Sequence, residues 1–392
     1  MKIAINGQKL TVDKLAGPEL YTLNLIKALS LVDAENSYCI YLDKSPNEEA
    51  QKVLENLGPN FSVKILPAVA SWTQVSLLKE LYMEKFDVFF TAVHTFPFLY
   101  FGRTKIVSMI HGLEYVYADL YHRPLRKVLA GLPEKLVCRF SDKIVAPSEF
   151  TKEAILSKVA DGWKLKNPDI AVIPEGVSDK FKKSSTEEIS KTISHHEKMQ
   201  NINLSNRPYL IFISTIQPRK NLKSIIEAIA LLKDNYGIII NLLVCGKLGW
   251  DYDEDLAAPG GYEVPDQVFF LGRVPEEDLI SLLSGSVAYI SASFEEGFGL
   301  PLLEAMACEV PAIVSDIPAY RSIAKDAAIY FDPHNVQDIA AKIHDFLKLD
   351  ESSAGKSSVR EAVLQAKIIA DSYTWEQTAS KMLRIFTEPE KV

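Results

Sequence analysis

The chain has 392 residues, of which 47% are hydrophobic and 24% are charged, and its formal net charge is −8. This length predicts two domains, because one hydrophobic core seldom organises more than about 250–300 residues. The negative charge disfavours nucleic-acid binding, which needs a basic surface to displace counterions from phosphates. No apolar run approaches the ~20 residues that span a bilayer, and the MKIAINGQKL start lacks a leader pattern, so we expect a cytoplasmic protein.

Short β-branched or aromatic runs alternate with longer helical patterns along the whole chain, which is typical of βαβ units with a parallel sheet. The predicted strands of the first half are 2–6, 38–42, 63–67, 87–92, 106–111 and 143–148. A polar stretch then breaks the pattern. The predicted strands of the second half are 209–215, 238–246, 268–274, 287–293, 312–316 and 328–332.

This order of elements predicts an α/β protein with two Rossmann-like, doubly wound domains. We place the first domain at 1–180, a linker or surface insertion at 181–206, and the second domain at 207–370. Ligands of such sheets bind beyond the carboxyl ends of the strands. The first strand is not followed by a G-x-G-x-x-G motif, which disfavours dinucleotide binding at the N-terminus, and no P-loop motif occurs.

The segment SFEEGFGLPLLEAMA, residues 293–307, combines a strand end, a glycine turn and a helix start. Gly297 and Gly299 allow a tight turn, and Pro301 suits a first helical turn. A helix start of this kind receives anions, and the carboxylates of Glu296 and Glu304 can accept hydrogen bonds from hydroxyl groups. Phosphates and sugars are therefore both suitable ligands.

The two glutamates in EGFGLPLLEAMA resemble the E-x7-E motif of retaining family 4 glycosyltransferases, also called glycosyltransferases group 1. The segments ISTIQPRKN, SDIP, YFDP and YTWE in the second half resemble further parts of that family's pattern, as do IHG, APSEF and IPEGV in the first half. The resemblance is strong from about Tyr209 onward and weaker before it.

This resemblance implies a GT-B architecture, in which the two domains face across a cleft with the acceptor on the first and the nucleotide sugar on the second. A C-terminal helix, within 371–392, is expected to return to the first domain. The nucleotide sugar is the donor substrate, and neither a cofactor nor a metal ion is expected.

The resemblance also assigns roles to individual residues. Glu304 is expected to hold the ribose, Glu296 the hydroxyls of the transferred sugar, and Lys220 with Arg219 the diphosphate. His111 is expected to contact the transferred sugar, and no catalytic base is assigned. The remaining expected contacts are the turn and helix start, Gly297, Phe298, Gly299 and Leu300, and Gly17 in a reduced acceptor loop.

Each assignment has a plainer alternative. Glu296 and Glu304 can be a turn residue and a glutamate favoured by the helix dipole. His111 can be a buried, hydrogen-bonded histidine. Arg219 and Lys220 can be a solvated helix start, although cations there oppose the helix dipole, which favours an anion as their partner.

The chain departs from the family pattern at two places in the second half. Thr215 stands where many members carry Arg or Ser, which removes one contact to the diphosphate. Glu309 stands where the family usually has glycine, which predicts a strained turn.

Two further segments have alternative interpretations. Asp251-Tyr252-Asp253 contains D-x-D, which can bind a divalent ion, but its setting favours an acidic surface loop. Residues 123–139, RPLRKVLAGLPEKLVCR, fit either a half-buried helix or an interfacial amphipathic helix. Peripheral membrane contact through 123–139 therefore remains open, because many related enzymes use lipid-linked acceptors.

The sequence thus predicts transfer of a hexose from a nucleoside diphosphate sugar to a hydroxyl of a glycan or lipid-linked acceptor, with retention of configuration. TIQPRKN and SDIPAYRSIA resemble bacterial mannosyltransferases of cell-surface polysaccharide synthesis most, so GDP-mannose is the first donor expected and UDP-glucose the second. The alternatives are a GT-B hydrolase or epimerase of sugar nucleotides and a non-catalytic sugar-nucleotide-binding subunit.

Overall fold

The computed structural model describes residues 1–15, 17–67, 71–93, 95–113, 131–160, 162–200 and 207–388. Contacts divide these residues into two compact units. The N-terminal unit extends to Gly176 and resumes at Tyr373, and the C-terminal unit comprises Val177–Ser372. The last helix therefore belongs to the N-terminal unit, and the chain passes from the N-terminal to the C-terminal unit between Gly176 and Val177.

The N-terminal unit contains a parallel sheet in which the described strands have the order β3-β2-β1-β4-β5-β6-β7. Its strands are β1 Lys2–Asn6, β2 Ser37–Leu42, β3 Phe61–Ile65, β4 Val88–Thr91, β5 Lys105–Met109, β6 Lys143–Ala146 and β7 Ile170–Val172. Its helices are α1 Pro18–Val32, α2 Glu48–Leu54, α3 Leu78–Met83, α4 Leu132–Phe140, α5 Glu149–Ala160 and α14 Trp375–Thr387. A 3-10 turn at Gln8–Thr11 and a π turn at Thr73–Leu77 complete it.

The final helix, α14, forms part of the core of this unit. Phe386 is fully buried, and its ring lies 5.4 Å from that of Phe90 in β4. Gly176 lies against the start of α14, since a Cβ there would come within 2.4 Å of the Trp375 nitrogen. The two points at which the chain leaves and re-enters this unit are thus in contact.

The C-terminal unit contains a second parallel sheet with the order β10-β9-β8-β11-β12-β13. Its strands are β8 Tyr209–Ile213, β9 Asn241–Cys245, β10 Val268–Gly272, β11 Ala288–Ser291, β12 Ala312–Ser315 and β13 Ile329–Phe331. Its helices are α6 Thr186–Gln200, α7 Leu222–Tyr236, α8 Asp253–Gly261, α9 Glu276–Gly285, α10 Leu300–Ala307, α11 Pro318–Ala324, α12 Val336–Glu351 and α13 Ser353–Asp371. Two parallel sheets of this kind confirm the predicted α/β class.

Of the expected linker or surface insertion at 181–206, the structure describes residues 181–200. They include α6, whose His196 is buried and whose Nε2 lies 3.1 Å from Asp278 Oδ2 in α9. The polar sequence of α6 does not indicate this packing, because only one narrow side of the helix is buried. None of the described helices is long and apolar enough to cross a membrane.

The end of α10 confirms the expectation at Glu309. This residue has a left-handed backbone (φ 56°), its N–H donates to Met306, and the N–H of Val310 donates to Ala305. These two bonds form a Schellman motif, in which the left-handed position usually carries glycine. Glu309 therefore bears a conformational strain that its Cβ causes.

We predict that Glu309→Gly stabilises the protein by about 0.5–1 kcal/mol, because relief of the left-handed strain exceeds the added freedom of the unfolded chain. Gly237, with φ 67° at the end of α7 and no atom near its missing Cβ, provides the reverse control. Gly237→Ala should destabilise by about 1 kcal/mol. Scanning calorimetry of both variants checks the prediction, and a lower melting temperature of Glu309→Gly would contradict it.

Candidate active site

Two neighbouring strands, β8 and β11, bring the predicted donor residues together. After β8, a 3-10 turn at Pro218–Lys220 ends at Asn221, which has a left-handed backbone (φ 56°) and precedes α7. The N–H of Phe294, after β11, donates to the carbonyl of Arg219 at 3.0 Å. The loops after the two strands are thus bonded to each other at the carboxyl edge of the sheet.

Glu296 forms a buried ion cluster with Lys220 and Arg219. The Lys220 Nζ lies 2.5 Å from Glu296 Oε1, and an Arg219 Nη1 lies 3.5 Å from Glu296 Oε2. The same Arg219 nitrogen donates to the carbonyl of Glu295 at 3.0 Å. The three charged side chains are only 10–13% exposed, so the contacts between them are weakly screened by solvent.

Neutral hydroxyl groups fix the position of the Glu296 carboxylate. Ser293 Oγ donates to Glu296 Oε1 at 2.8 Å, and the Tyr320 hydroxyl lies 3.2 Å from the same oxygen. Tyr320 also lies 2.7 Å from Ser291 Oγ. Sequence reasoning assigned no role to Ser293 or Tyr320, although both stand in the quoted segments.

The cluster determines the protonation state of Glu296. Burial by itself would raise the pKa of this carboxyl, but the charges of Lys220 and Arg219 and the hydrogen bonds from Lys220 and Ser293 lower it to about 2. Glu296 is therefore ionised at neutral pH. An ionised carboxylate is a hydrogen-bond acceptor only, as binding of sugar hydroxyls requires.

The glycine turn and helix start take the predicted form. Gly299 precedes α10 with φ 114°, and a Cβ on it would approach the Tyr320 ring to 2.9 Å, so no other residue fits without movement of that ring. Leu300 begins α10, Pro301 lies in its first turn, and Phe298 is buried. Gly297 completes the turn next to Glu296. The structure therefore places an anion-receptive helix start directly after the ion cluster.

Glu304 lies in the same helix. It is the fifth residue of α10, and it is half-buried. Burial, and next the charge of Glu304, raises the pKa of the Cys308 thiol one turn further along to about 12. The expected contact of Glu304 with ribose remains a prediction.

His111 and Gly17 belong to the N-terminal unit. His111 follows β5, with Nδ1 3.1 Å from Glu175 Oε1 and Nε2 3.1 Å from the carbonyl oxygen of Ala92. A neutral imidazole donates from only one nitrogen, so both contacts are hydrogen bonds only when the ring or Glu175 carries an additional proton. Gly17 is exposed, has φ 41°, and precedes α1. The expected roles of both residues remain predictions.

The two segments with alternative interpretations are only partly settled. Asp253 begins α8, and buried Asp255 accepts the N–H of Lys223 at 3.0 Å; burial raises the pKa of Asp255 to about 6. The described residues contain no cluster of three His, Cys, Asp or Glu side chains that could hold a metal. Of the segment 123–139, residues 123–130 lie outside the described residues, and the rest falls in α4 and the glycine before it.

We predict that Glu296 stabilises the fold above about pH 4.5 and that this contribution is lost as the pH falls toward 2. Its folded-state pKa is lowered, so protonation favours the unfolded chain. In calorimetry between pH 7 and pH 3, the melting temperature of the wild type should therefore approach that of Glu296→Gln as the pH drops. A difference between the two melting temperatures that stays constant from pH 7 to pH 3 would contradict the prediction.

Comparison with known proteins agrees with this geometry. Residues 16–181 match the family described as "Glycosyltransferase Family 4", and residues 194–358 match "Glycosyl transferases group 1". O-antigen chain mannosyltransferase B of Escherichia coli is 31% identical over 190 residues, which are 48% of each chain. O-antigen chain mannosyltransferase RfbU of Salmonella typhimurium is 26% identical over 316 residues, 74% of this chain and 87% of that protein. The matched region thus spans about half of the first relative and most of the second.

Solved structures resemble the whole chain. Sucrose-phosphate synthase from Thermosynechococcus elongatus has a TM-score of 0.74 at 17% identity and covers 98% of both chains. Anabaena HepE, in complex with UDP and glucose, also has a TM-score of 0.74 at 17% identity, with 99% of this chain and 100% of HepE covered. These similarities show the GT-B fold. Together with the two family matches, which include nearly all of both units, they show that the chain belongs to the family 4, or group 1, glycosyltransferases.

Proposed function

We propose that this protein is a retaining glycosyltransferase, which moves a hexose from a nucleoside diphosphate sugar to an acceptor hydroxyl. The observation that carries the proposal is the buried cluster of Lys220, Arg219 and Glu296 beside the start of α10. It combines two cations, a helix N-terminus and an ionised carboxylate at the carboxyl edge of a parallel sheet. A sugar diphosphate needs all three kinds of partner.

The proposed chemistry breaks the bond between the anomeric carbon and the phosphate oxygen and forms the bond to the acceptor oxygen on the same face. The acceptor proton passes to the departing phosphate oxygen, so no protein base is required. Lys220, Arg219 and the N–H groups of the turn stabilise the negative charge that develops on the diphosphate. Glu296 accepts hydrogen bonds from sugar hydroxyls and thereby orients the sugar.

The names of the relatives support a donor and an acceptor class. Mannosyltransferases of O-antigen synthesis make GDP-mannose the first donor proposed, and HepE, crystallised with UDP-glucose, keeps UDP-glucose as the second. The acceptor proposed is a glycan or a lipid-linked glycan of the cell surface. Cytoplasmic location with peripheral membrane contact through 123–139 belongs to this proposal, and the exposed Leu132, Lys135 and Arg139 of α4 are consistent with it.

Donor binding is tested by thermal shift with UDP-, GDP- and ADP-sugars. One nucleotide class should raise the melting temperature, because a ligand at 100 times its Kd stabilises by about 2.7 kcal/mol. Lys220→Ala and Glu304→Ala should abolish the shift. The matched control is Lys223→Ala, since Lys223 lies one turn further along and is paired with Glu254 at the surface. This control should bind as the wild type does.

Turnover separates the proposal from its alternatives. Mass spectrometry should detect a glycosylated acceptor, and NMR should show the anomeric configuration of the donor retained. Release of free sugar without an acceptor would identify a hydrolase, and binding without any product from a panel of glycan and lipid-linked acceptors would identify a non-catalytic subunit. Absence of binding to every sugar nucleotide would reject the proposed function.

A further inference from the structure

The cations proposed to hold the donor diphosphate are bound to a protein anion. The Lys220 Nζ is 2.5 Å from the Glu296 carboxylate, and Arg219 contacts its second oxygen. Lys220 is a buried residue, with 8% of its surface exposed. A buried cation without a counter-charge is costly, so the carboxylate stabilises the buried Lys220.

The carboxylate is also held by groups that carry no charge. Ser293 and Tyr320 both bind Oε1, and Tyr320 is anchored in turn by Ser291 at the end of β11. Glu296 is therefore attached to β11 and α11, whereas Lys220 and Arg219 belong to the turn after β8. The cations can turn toward a ligand while the carboxylate stays in place.

We infer that Glu296 acts as an internal counter-anion, which competes with the nucleoside diphosphate for Lys220 and Arg219. The inference rests on the proposed function and adds a second role to Glu296, besides its contact with the sugar. A bound diphosphate draws the cations away and leaves a buried carboxylate that needs new hydrogen-bond donors. The hydroxyls of an intact donor sugar supply them.

The product differs from the donor in this respect. After transfer, the nucleoside diphosphate retains its charge but no longer carries the sugar hydroxyls. The carboxylate must then be satisfied by Lys220 and Arg219 again, which weakens their hold on the product. The ion cluster thus favours binding of the sugar nucleotide over binding of the free nucleoside diphosphate, and it promotes release of this product.

The experiment compares Glu296→Gln with the wild type. Isothermal titration at one ionic strength gives the Kd of GDP, UDP and inorganic pyrophosphate for each protein, since salt screens such contacts. Glu296→Gln should bind the nucleoside diphosphate of the preferred donor, and pyrophosphate, about tenfold more tightly, while kcat falls. Its preference for the sugar nucleotide over the free diphosphate should shrink by a similar factor.

The matched control is Glu254→Gln, which removes the same charge from an exposed ion pair with Lys223. Its affinities should stay within about twofold of the wild type if the effect is specific to the cluster. If Glu296→Gln does not fold, Glu296→Asp retains the charge but withdraws the carboxylate, and it should tighten diphosphate binding less than tenfold but measurably.

The outcomes distinguish the inference from the proposed function. Diphosphate binding to the wild type with equal or weaker binding to the Glu296 variant would overturn the counter-anion and leave the transferase proposal standing. Tighter diphosphate binding to Glu254→Gln as well would also overturn the counter-anion, because a general effect of lost negative charge would then explain the result. No binding of any diphosphate to any of the proteins would reject both.

Discussion

The C-terminal unit depends on the burial of a carboxylate between two cations at the joined ends of β8 and β11. Replacing such a cluster by apolar side chains of similar volume is often neutral or stabilising, whereas removing one partner is strongly destabilising. Stability alone therefore does not explain why Glu296, Lys220 and Arg219 are charged. The proposed binding of a donor diphosphate accounts for these charges, because the two cations keep the Glu296 carboxylate ionised and would be partners for a diphosphate.

The groups around the cluster make this arrangement rigid. The ring of Tyr320 fills the space beside Gly299, and its hydroxyl contacts both Ser291 and Glu296. One side chain therefore fixes the glycine turn and the carboxylate at the same time. Burial raises the pKa of Tyr320 well above its usual value, so its hydroxyl stays protonated and can donate. Preorganised donors of this kind avoid reorganisation during a reaction.

The sequence predicted the fold class and all the described strands except β7, because parallel strands leave clear local patterns, and it assigned Lys220, Arg219 and Glu296 to one donor site by resemblance. It missed β7 and the packing of α6, whose buried side is narrow. It also missed Tyr320, Ser293 and Glu175 as partners of the predicted residues. Their contacts join distant elements, and hydrogen bonds of this kind have no signature in residue spacing.

His111 shows why an assignment by resemblance needs the geometry. Its side chain was expected to contact the sugar, yet Glu175 and the Ala92 carbonyl occupy both ring nitrogens, while the Tyr21 ring packs edge-on at 4.8 Å. A side chain held on three sides can act on a ligand through its C–H groups, its charge or its backbone, but not through a free N–H. Because both ring nitrogens already lie within hydrogen-bond distance of protein oxygens, a ligand can gain a hydrogen bond from the His111 ring only if one of these two contacts is given up. Any role of His111 toward a sugar is thus coupled to Glu175. Glu175 directly precedes Gly176, where the chain leaves the N-terminal unit.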